Sequence, residues 1–309
     1  MTMYFRNLAD KAAADGEISI EEVMGFRADA WKDGAIDDGE VAAMFDLNDH
    51  LQSRSPEWVD FFVEAVSDYL VGNGLPKGYV REDDAAALIE RISADGQVES
   101  MAELLMLEKL FNKAVLVPDE LKTFALVQIE RTVVTGEGPT RSGQMIATGG
   151  INAEECRLLR AFIFASGGDR PAAVSKAEAE MLFRIKDACV VTYNAPEWQQ
   201  LFVQGVGNYL QGFSCAEPLS AERAAELESF MNDTAVNIGG FFARMAGSSP
   251  VKAARDEMAD DGDYLEYDEK AAADAQVTSE EQAFLDTMLN ADGEIDPLEK
   301  ALLDFIAKA

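Results

Sequence analysis

The sequence predicts an all-α protein made of two tandem, homologous helical lobes, and three observations carry that prediction. Apolar residues recur at helical spacing along most of the chain, and no convincing strand-type alternation appears. Short Asp-Gly corners separate these segments, each followed by helix-capping residues. Finally, the stretch 56–72 recurs at 196–212.

The corners read Ala14-Asp15-Gly16-Glu17-Ile18-Ser19, Lys32-Asp33-Gly34-Ala35-Ile36-Asp37, Ala94-Asp95-Gly96-Gln97-Val98 and Ala291-Asp292-Gly293-Glu294-Ile295-Asp296, with Gly149-Gly150-Ile151-Asn152 as a variant without Asp. Glycine tolerates the left-handed conformation that ends many helices, so Asp-Gly stops one helix. The following Ser19, Asp37, Asn152 and Asp296 are good N-cap types, and each has a Glu three residues later, at Glu22, Glu40, Glu155 and Glu299. That is the capping-box pattern, in which two orphan backbone donors are satisfied reciprocally. Ser100 with Glu103, Ser175 with Glu178 and Thr278 with Glu281 repeat it. Pro297 falls where a missing N–H is harmless.

In order, the spacing predicts helices over 3–14, 21–31 and 40–51. A strong amphipathic helix then starts at Ser55-Pro56-Glu57 and carries Trp58, Phe61, Phe62, Val66, Tyr69 and Leu70. Gly72, Gly74 and Pro76 end it. Helices follow over 83–92, 101–113 and 118–134. The composition then turns to Gly, Thr, Ser and Pro across 135–149, which reads as a linker or surface loop. The β-branched run from Cys189 to Tyr193 reads as briefly extended.

Nine positions agree at an offset of 140 residues: Pro56, Glu57, Trp58, Phe62, Val63, Val66, Tyr69, Leu70 and Gly72 match Pro196, Glu197, Trp198, Phe202, Val203, Val206, Tyr209, Leu210 and Gly212. Upstream, Glu40, Phe45 and Asp49 match Glu178, Phe183 and Asp187, and Ile18, Glu21, Glu22 and Arg27 match Ile151, Glu154, Glu155 and Arg160. The expected organisation is a first lobe at 1–134, a linker at 135–149 and a second lobe at 150–309. An insertion at about 219–277 carries a helix at 220–232 and a dense acidic run from Asp256 to Glu269.

The net charge of −31, from 57 acidic against 26 basic residues in 309, argues against phosphate backbones and anionic lipid surfaces as direct partners. It suits cations, basic partners or simple solubility. Three cysteines without a CxxC spacing imply no disulfide framework. No signal peptide and no membrane span is evident, so a cytoplasmic protein is expected, with no nucleic acid partner and no direct membrane insertion.

His50 is the one histidine, which leaves no base for a Ser-His-Asp or Cys-His arrangement. The Gly-rich stretch at 136–150 lacks the ending of a phosphate loop. Trp58/Trp198 and Tyr69/Tyr209 read as packing residues repeated in both lobes. Placing the corner Gly at position 6 of a calcium loop gives Asp at 5, Ile or Val at 8 and Glu at 12 in the first, second and fourth corners, but the opening ligands fail. The second corner alone keeps a trio, Asp29, Asp33 and Glu40, with Trp31 at position 3. The candidate metal ligands are therefore Asp29, Asp33, Asp37, Glu40, Asp292, Asp296 and Glu299, for a divalent cation such as calcium or magnesium held between corners.

Ala-Asp-Gly-x-Ile-x-x-x-Glu corners at 14–22, 94–103 and 291–299, with 32–40 as a variant, give the chain a resemblance to the TerB-like family associated with tellurite resistance. The resemblance implies a compact non-enzymatic helical domain linked to stress responses, with divalent-cation binding by acidic residues and assembly with membrane-associated partners. Duplication and the insertion depart from the single-domain pattern. The expected function is a cytoplasmic binding or adaptor protein of a stress-response type with a protein partner. An acidic cation buffer or sensor is the first alternative and a carboxylate/metal-dependent enzyme the second.

Overall fold

A computed structural model describes residues 16–30, 36–73, 76–93, 98–141, 149–165, 174–189, 193–210, 279–289 and 295–307. The expected helices at 3–14 and 220–232, the acidic run, and Thr278 of one expected capping box lie outside these residues. Among the described residues the protein is helical. The first half contains α1 (Ile20–Ala30), α2 (Asp38–His50), α3 (Pro56–Asn73), α4 (Glu82–Ile92), α5 (Met101–Lys113) and α6 (Asp119–Thr135). The second contains α7 (Ala153–Ile163), α8 (Lys176–Cys189), α9 (Glu197–Leu210), α10 (Ser279–Leu289) and α11 (Pro297–Ile306). Among the described residues the one β-type contact is an isolated bridge between Tyr79 and Leu116. Cys189, expected in an extended run, instead closes α8, where its fully buried side chain continues that helix's apolar stripe.

The capping residues start helices as their chemistry predicts. Asp37, Ser100, Asn152 and Asp296 each accept from the backbone N–H three residues on, while Glu40, Glu103, Glu155 and Glu299 accept from the cap's own N–H. Ser19 with Glu22 and Ser175 with Glu178 make the same reciprocal pair. Gly136, at φ 76°, ends α6 in the left-handed conformation.

Each half is organised around its most aromatic helix. In the first, α3 packs against α1, α2 and most extensively α5; in the second, α9 packs against α7, α8 and most extensively α11. Trp58, Phe61, Phe62, Trp198 and Phe202 are all essentially buried. The ring pair Phe45–Phe62 (5.1 Å, 88°) has an aligned equivalent in Phe183–Phe202 (5.2 Å, 83°), both edge-to-face.

One continuous apolar cluster runs through both halves. Helix α6 packs on α4 in the first half and on α7 and α8 in the second, and α5 also meets α7, where Phe111 and Phe162 lie edge to face at 5.4 Å. The expected linker is built in at its start: Pro139–Arg141 form a 3₁₀ turn with Thr140 and Arg141 buried. Residues 142–148 lie outside the described set.

Candidate functional site

The corners bury carboxylates. Glu40, Glu103, Glu155, Glu178 and Glu299 are all buried although each begins a helix. Removing a carboxylate from water is costly unless hydrogen bonds or a counter-charge compensate. The reciprocal cap supplies part of that compensation. In the second half a cation from elsewhere in the chain supplies more.

Glu299 shows the arrangement most fully. Its Oε2 accepts from Asp296 N–H at 2.9 Å, and its Oε1 accepts from Lys186 Nζ at 2.7 Å. Asp296 Oδ1 accepts from Leu298 and Glu299 N–H at 2.7 and 2.9 Å, and its Oδ2 accepts from Lys186 at 2.8 Å. Asp187 adds a third carboxylate 2.9 Å from the ammonium. Burial is the largest influence on Lys186 and pulls its pKa down, but hydrogen bonds from Asp296, Glu299 and Asp187 outweigh it, so the net shift is upward. Asp296 moves the other way: burial raises it, and the Lys186 and backbone bonds lower it further than burial lifts it.

Two other buried cations serve the same purpose. Arg141 Nε lies 2.6 Å from Glu155 Oε1, its Nη2 donates to Glu155 Oε2 at 2.9 Å and to Gly150 O, and the Thr140 hydroxyl donates to Glu155 at 2.8 Å. Even so, burial leaves the Glu155 carboxyl above its ordinary range. Lys122 of α6 lies 2.8 Å from Glu178 Oε1, an ionic contact rather than a well-directed hydrogen bond. These three cations lie at sequence separations that no local pattern encodes. The available clue was a Lys within the stripe Ala179, Leu182, Phe183, Lys186, Cys189 of α8.

The candidate metal ligands are distributed as follows. Asp37 and Glu40 come together as the capping box of α2, at 2.9 and 3.1 Å. Asp296 and Glu299 come together around Lys186, whose ammonium holds the position between them that a cation would take. Asp29 is buried in α1. Asp33 and Asp292 lie outside the described residues. Asp187, Asp296 and Glu299 surround the Lys186 ammonium, and among the described residues no group of three or more His, Cys, Asp or Glu forms a metal-ion site.

Nucleophile chemistry has little support from the thiols. Cys156 and Cys189 are buried, and burial pushes each up to about 12, so neither is a thiolate near neutrality. His50 is exposed, with its Nδ1 2.6 Å from Asp46 O.

A groove of about 870 Å³ runs along the seam of α3 and α5, with Arg27 of α1 in its lining. Val59, Val63 and Leu105 form its apolar floor. Asp60, Glu64 and Asp68 line its α3 edge, four residues apart and so on one helical face. Glu108, Lys109 and Lys113 line the α5 edge. Arg27 Nη1 donates to Glu64 at 2.6 Å, Lys113 pairs with Asp68, and Arg157 of α7 reaches Glu108. Sequence reading missed this groove because its walls pair residues distant in the chain, such as Asp68 and Lys113, 45 positions apart.

No described helix is long and apolar enough to cross a membrane. Compared with known protein families, with curated proteins and with solved structures, the chain shows no significant similarity to any.

Proposed function

We propose that this chain is a non-enzymatic binding or adaptor protein of a stress-response type, built on a tandemly duplicated TerB-like helical unit and acting through a protein partner in the cytoplasm. The aligned capping boxes, the aligned aromatic pairs and the shared pairings of α3 and α9 support the duplication. The observation that carries the functional reading concerns Glu103, Glu155, Glu178 and Glu299. These buried carboxylates, the groups an acid–base or metal mechanism would draw on, are bound to helix N-termini and, in the second half, to buried cations. A scaffold whose ionisable groups are committed in this way retains its outer surface, including the α3–α5 groove, for recognition.

In-cell crosslinking followed by affinity purification of the full chain tests the reading. The expected result is one protein recovered in near-stoichiometric amount, with crosslinks to defined positions on this chain. If crosslinking recovers no such protein, and deletion of 246–275 leaves the cellular phenotype unchanged, the adaptor reading is wrong.

A further inference from the structure

The two halves provide an internal comparison for the α3–α5 groove. At the offset of 140, Asp60, Glu64 and Asp68 of α3 are replaced by Gln200, Gln204 and Asn208 of α9. All three acidic positions become amides, and Gln204 and Asn208 match the shapes of Glu64 and Asp68. The contact of Arg27 with Glu64 persists in the second half, where Arg160 Nη2 donates to Gln204 Oε1 at 2.8 Å. An amide therefore satisfies the arginine at this place in the fold, and a carboxylate is not needed for that contact. The α5 edge differs as well: counting from the capping boxes, Lys109 corresponds to Phe305 of α11. The Phe305 ring lies against α9 so closely that a Cβ on Gly207 would come within 2.6 Å of its Cε1. The second half covers its seam with an aromatic ring, whereas the first half leaves it open and lined with charge.

From this contrast we infer that the first-half groove is a docking site for an amphipathic helix of a partner protein, one whose basic residues recur every fourth position beside an apolar stripe. Asp60, Glu64 and Asp68 succeed one another at roughly 6 Å along α3, the repeat of a helix read every four residues. A partner helix lying in the furrow meets them in register with its own lysines or arginines, taking the places of Arg27 and Lys113 at Glu64 and Asp68. Its apolar stripe rests on Val59, Val63 and Leu105. Arg27 and Lys113 already pair with Glu64 and Asp68, which shows the kind of ion this edge takes. This inference rests on the binding-protein reading and adds the site and the chemistry of the partner.

The test uses the full chain and a labelled 18-residue synthetic helix carrying Lys at every fourth position beside a Leu/Ala stripe, followed by fluorescence anisotropy at 0.15 M salt, roughly physiological ionic strength. The variant Asp60→Gln/Glu64→Gln/Asp68→Asn gives α3 the side chains α9 carries. It is expected to weaken binding about tenfold, the combined effect of three exposed ion pairs. A control that removes three exposed charges from α4, Glu82→Gln/Asp83→Asn/Glu90→Gln, is expected to bind as the wild type does. Lys109→Phe, which places an aromatic where α11 has Phe305, is expected to block the furrow and weaken binding without removing any acidic residue. Equal weakening by the α3 and α4 variants would assign the attraction to the anionic surface in general and overturn the site. Failure of the wild type to bind the peptide, or full binding by Lys109→Phe, would also overturn it. If crosslinking still recovers a partner in those cases, the groove assignment alone fails.

Discussion

Glu103 and Glu299 hold the same position in the two halves, and replacing each by Gln should have opposite consequences. Both are third in a helix and accept from the N-cap N–H at 2.9 Å, and both are nearly inaccessible, at 3% and 1% exposure. Their surroundings differ. Around Glu103 the hydrogen-bonding neighbours are neutral: Ser100 is the cap, and Asn48 reaches the Ser100 hydroxyl at 3.4 Å, while the charges of Asp49 and Arg54 act in opposite directions. Burial therefore raises the Glu103 carboxyl above its ordinary range. Around Glu299 the cap is Asp296, and Lys186 stands in the place aligned with Asn48.

A glutamine keeps the oxygen that accepts from the cap. At 103 it removes a desolvated charge and preserves the hydrogen bond, so stability should change by no more than about 1 kcal/mol, in the stabilising direction at neutral pH. At 299 it takes a counter-charge from a buried ammonium. Breaking a buried pair costs about 3–5 kcal/mol, and Asp296 remains to reduce that, so about 2–3 kcal/mol is expected. Urea unfolding followed by tryptophan fluorescence and far-UV circular dichroism measures both.

The pH dependence gives a second reading of the same pair. A raised Glu103 pKa means its contribution is favourable below the ordinary carboxylate range and is lost as pH rises through the folded value. The advantage of Glu103→Gln should thus grow from about pH 4 toward pH 7. For the second-half cluster, the lowered Asp296 contributes stability above the carboxylate range, lost on acidification, and the raised Lys186 contributes below the lysine range, lost in strong base. The cost of Glu299→Gln should therefore form a plateau between about pH 5 and 10. Equal costs for the two substitutions would show that the neutral and ionic surroundings are not what distinguishes these carboxylates.

Three further perturbations separate local from long-range effects. Trp58 Nε1 donates to Asn48 Oδ1 at 3.4 Å, whereas Trp198 Nε1 is buried without an acceptor because Lys186 stands where Asn48 would; Trp58→Phe should cost about 1 kcal/mol more than Trp198→Phe in the same unfolding assay, and a reversed order would contradict the alignment of the halves. Arg141→Met leaves Glu155 buried without its cation and should cost about 3–5 kcal/mol, read as a lower denaturant midpoint; an unchanged midpoint would mean that the turn at Pro139–Arg141 does not hold α7. Calcium and magnesium titrations by calorimetry should give superimposable curves for the wild type and Asp296→Asn, because Lys186 holds the space between Asp296 and Glu299; loss of a binding isotherm in the variant would place an ion at that corner.

The helical class and most helix starts were legible because their code is short-range. A capping box needs only residues three apart, so Ser100–Glu103 or Asn152–Glu155 can be read directly from the chain. The aromatic repeat was legible for a related reason: Trp58 and Trp198 occupy the same turn of α3 and α9. The partners of the capping carboxylates were not legible. Lys186 meets Glu299 across 113 residues, and Lys122 and Arg141 find their acids through the packing of α6 and the 3₁₀ turn. The corner aspartates suggested cation ligands because oxygen-rich turns hold both metals and helix N-termini. At Asp296 the backbone N–H groups and one lysine take up both carboxylate oxygens.

The two halves place their charges in opposite ways, and the difference follows from which half carries the joint. Helix α6 and the turn after it are packed on α7 and α8, so the start of the second half is covered, and its capping carboxylates Glu155 and Glu178 are deprived of water. Lys122 and Arg141, the cations that compensate, come from the covering elements themselves. The joint is thereby specified by charge pairing as well as by Phe111 against Phe162, since a shifted register would leave both members of each pair buried and unmatched. On the outside the pattern reverses. The α9 face carries Gln200, Gln204 and Asn208, and Phe305 covers the seam, while α3 keeps Asp60, Glu64 and Asp68 beside an open furrow. The arginine contact does not require an acid at Glu64, because Gln204 makes the equivalent contact with Arg160. Beyond the pairs that Glu64 and Asp68 make with Arg27 and Lys113, those acids add a negative potential along the groove edge, which favours a cationic partner.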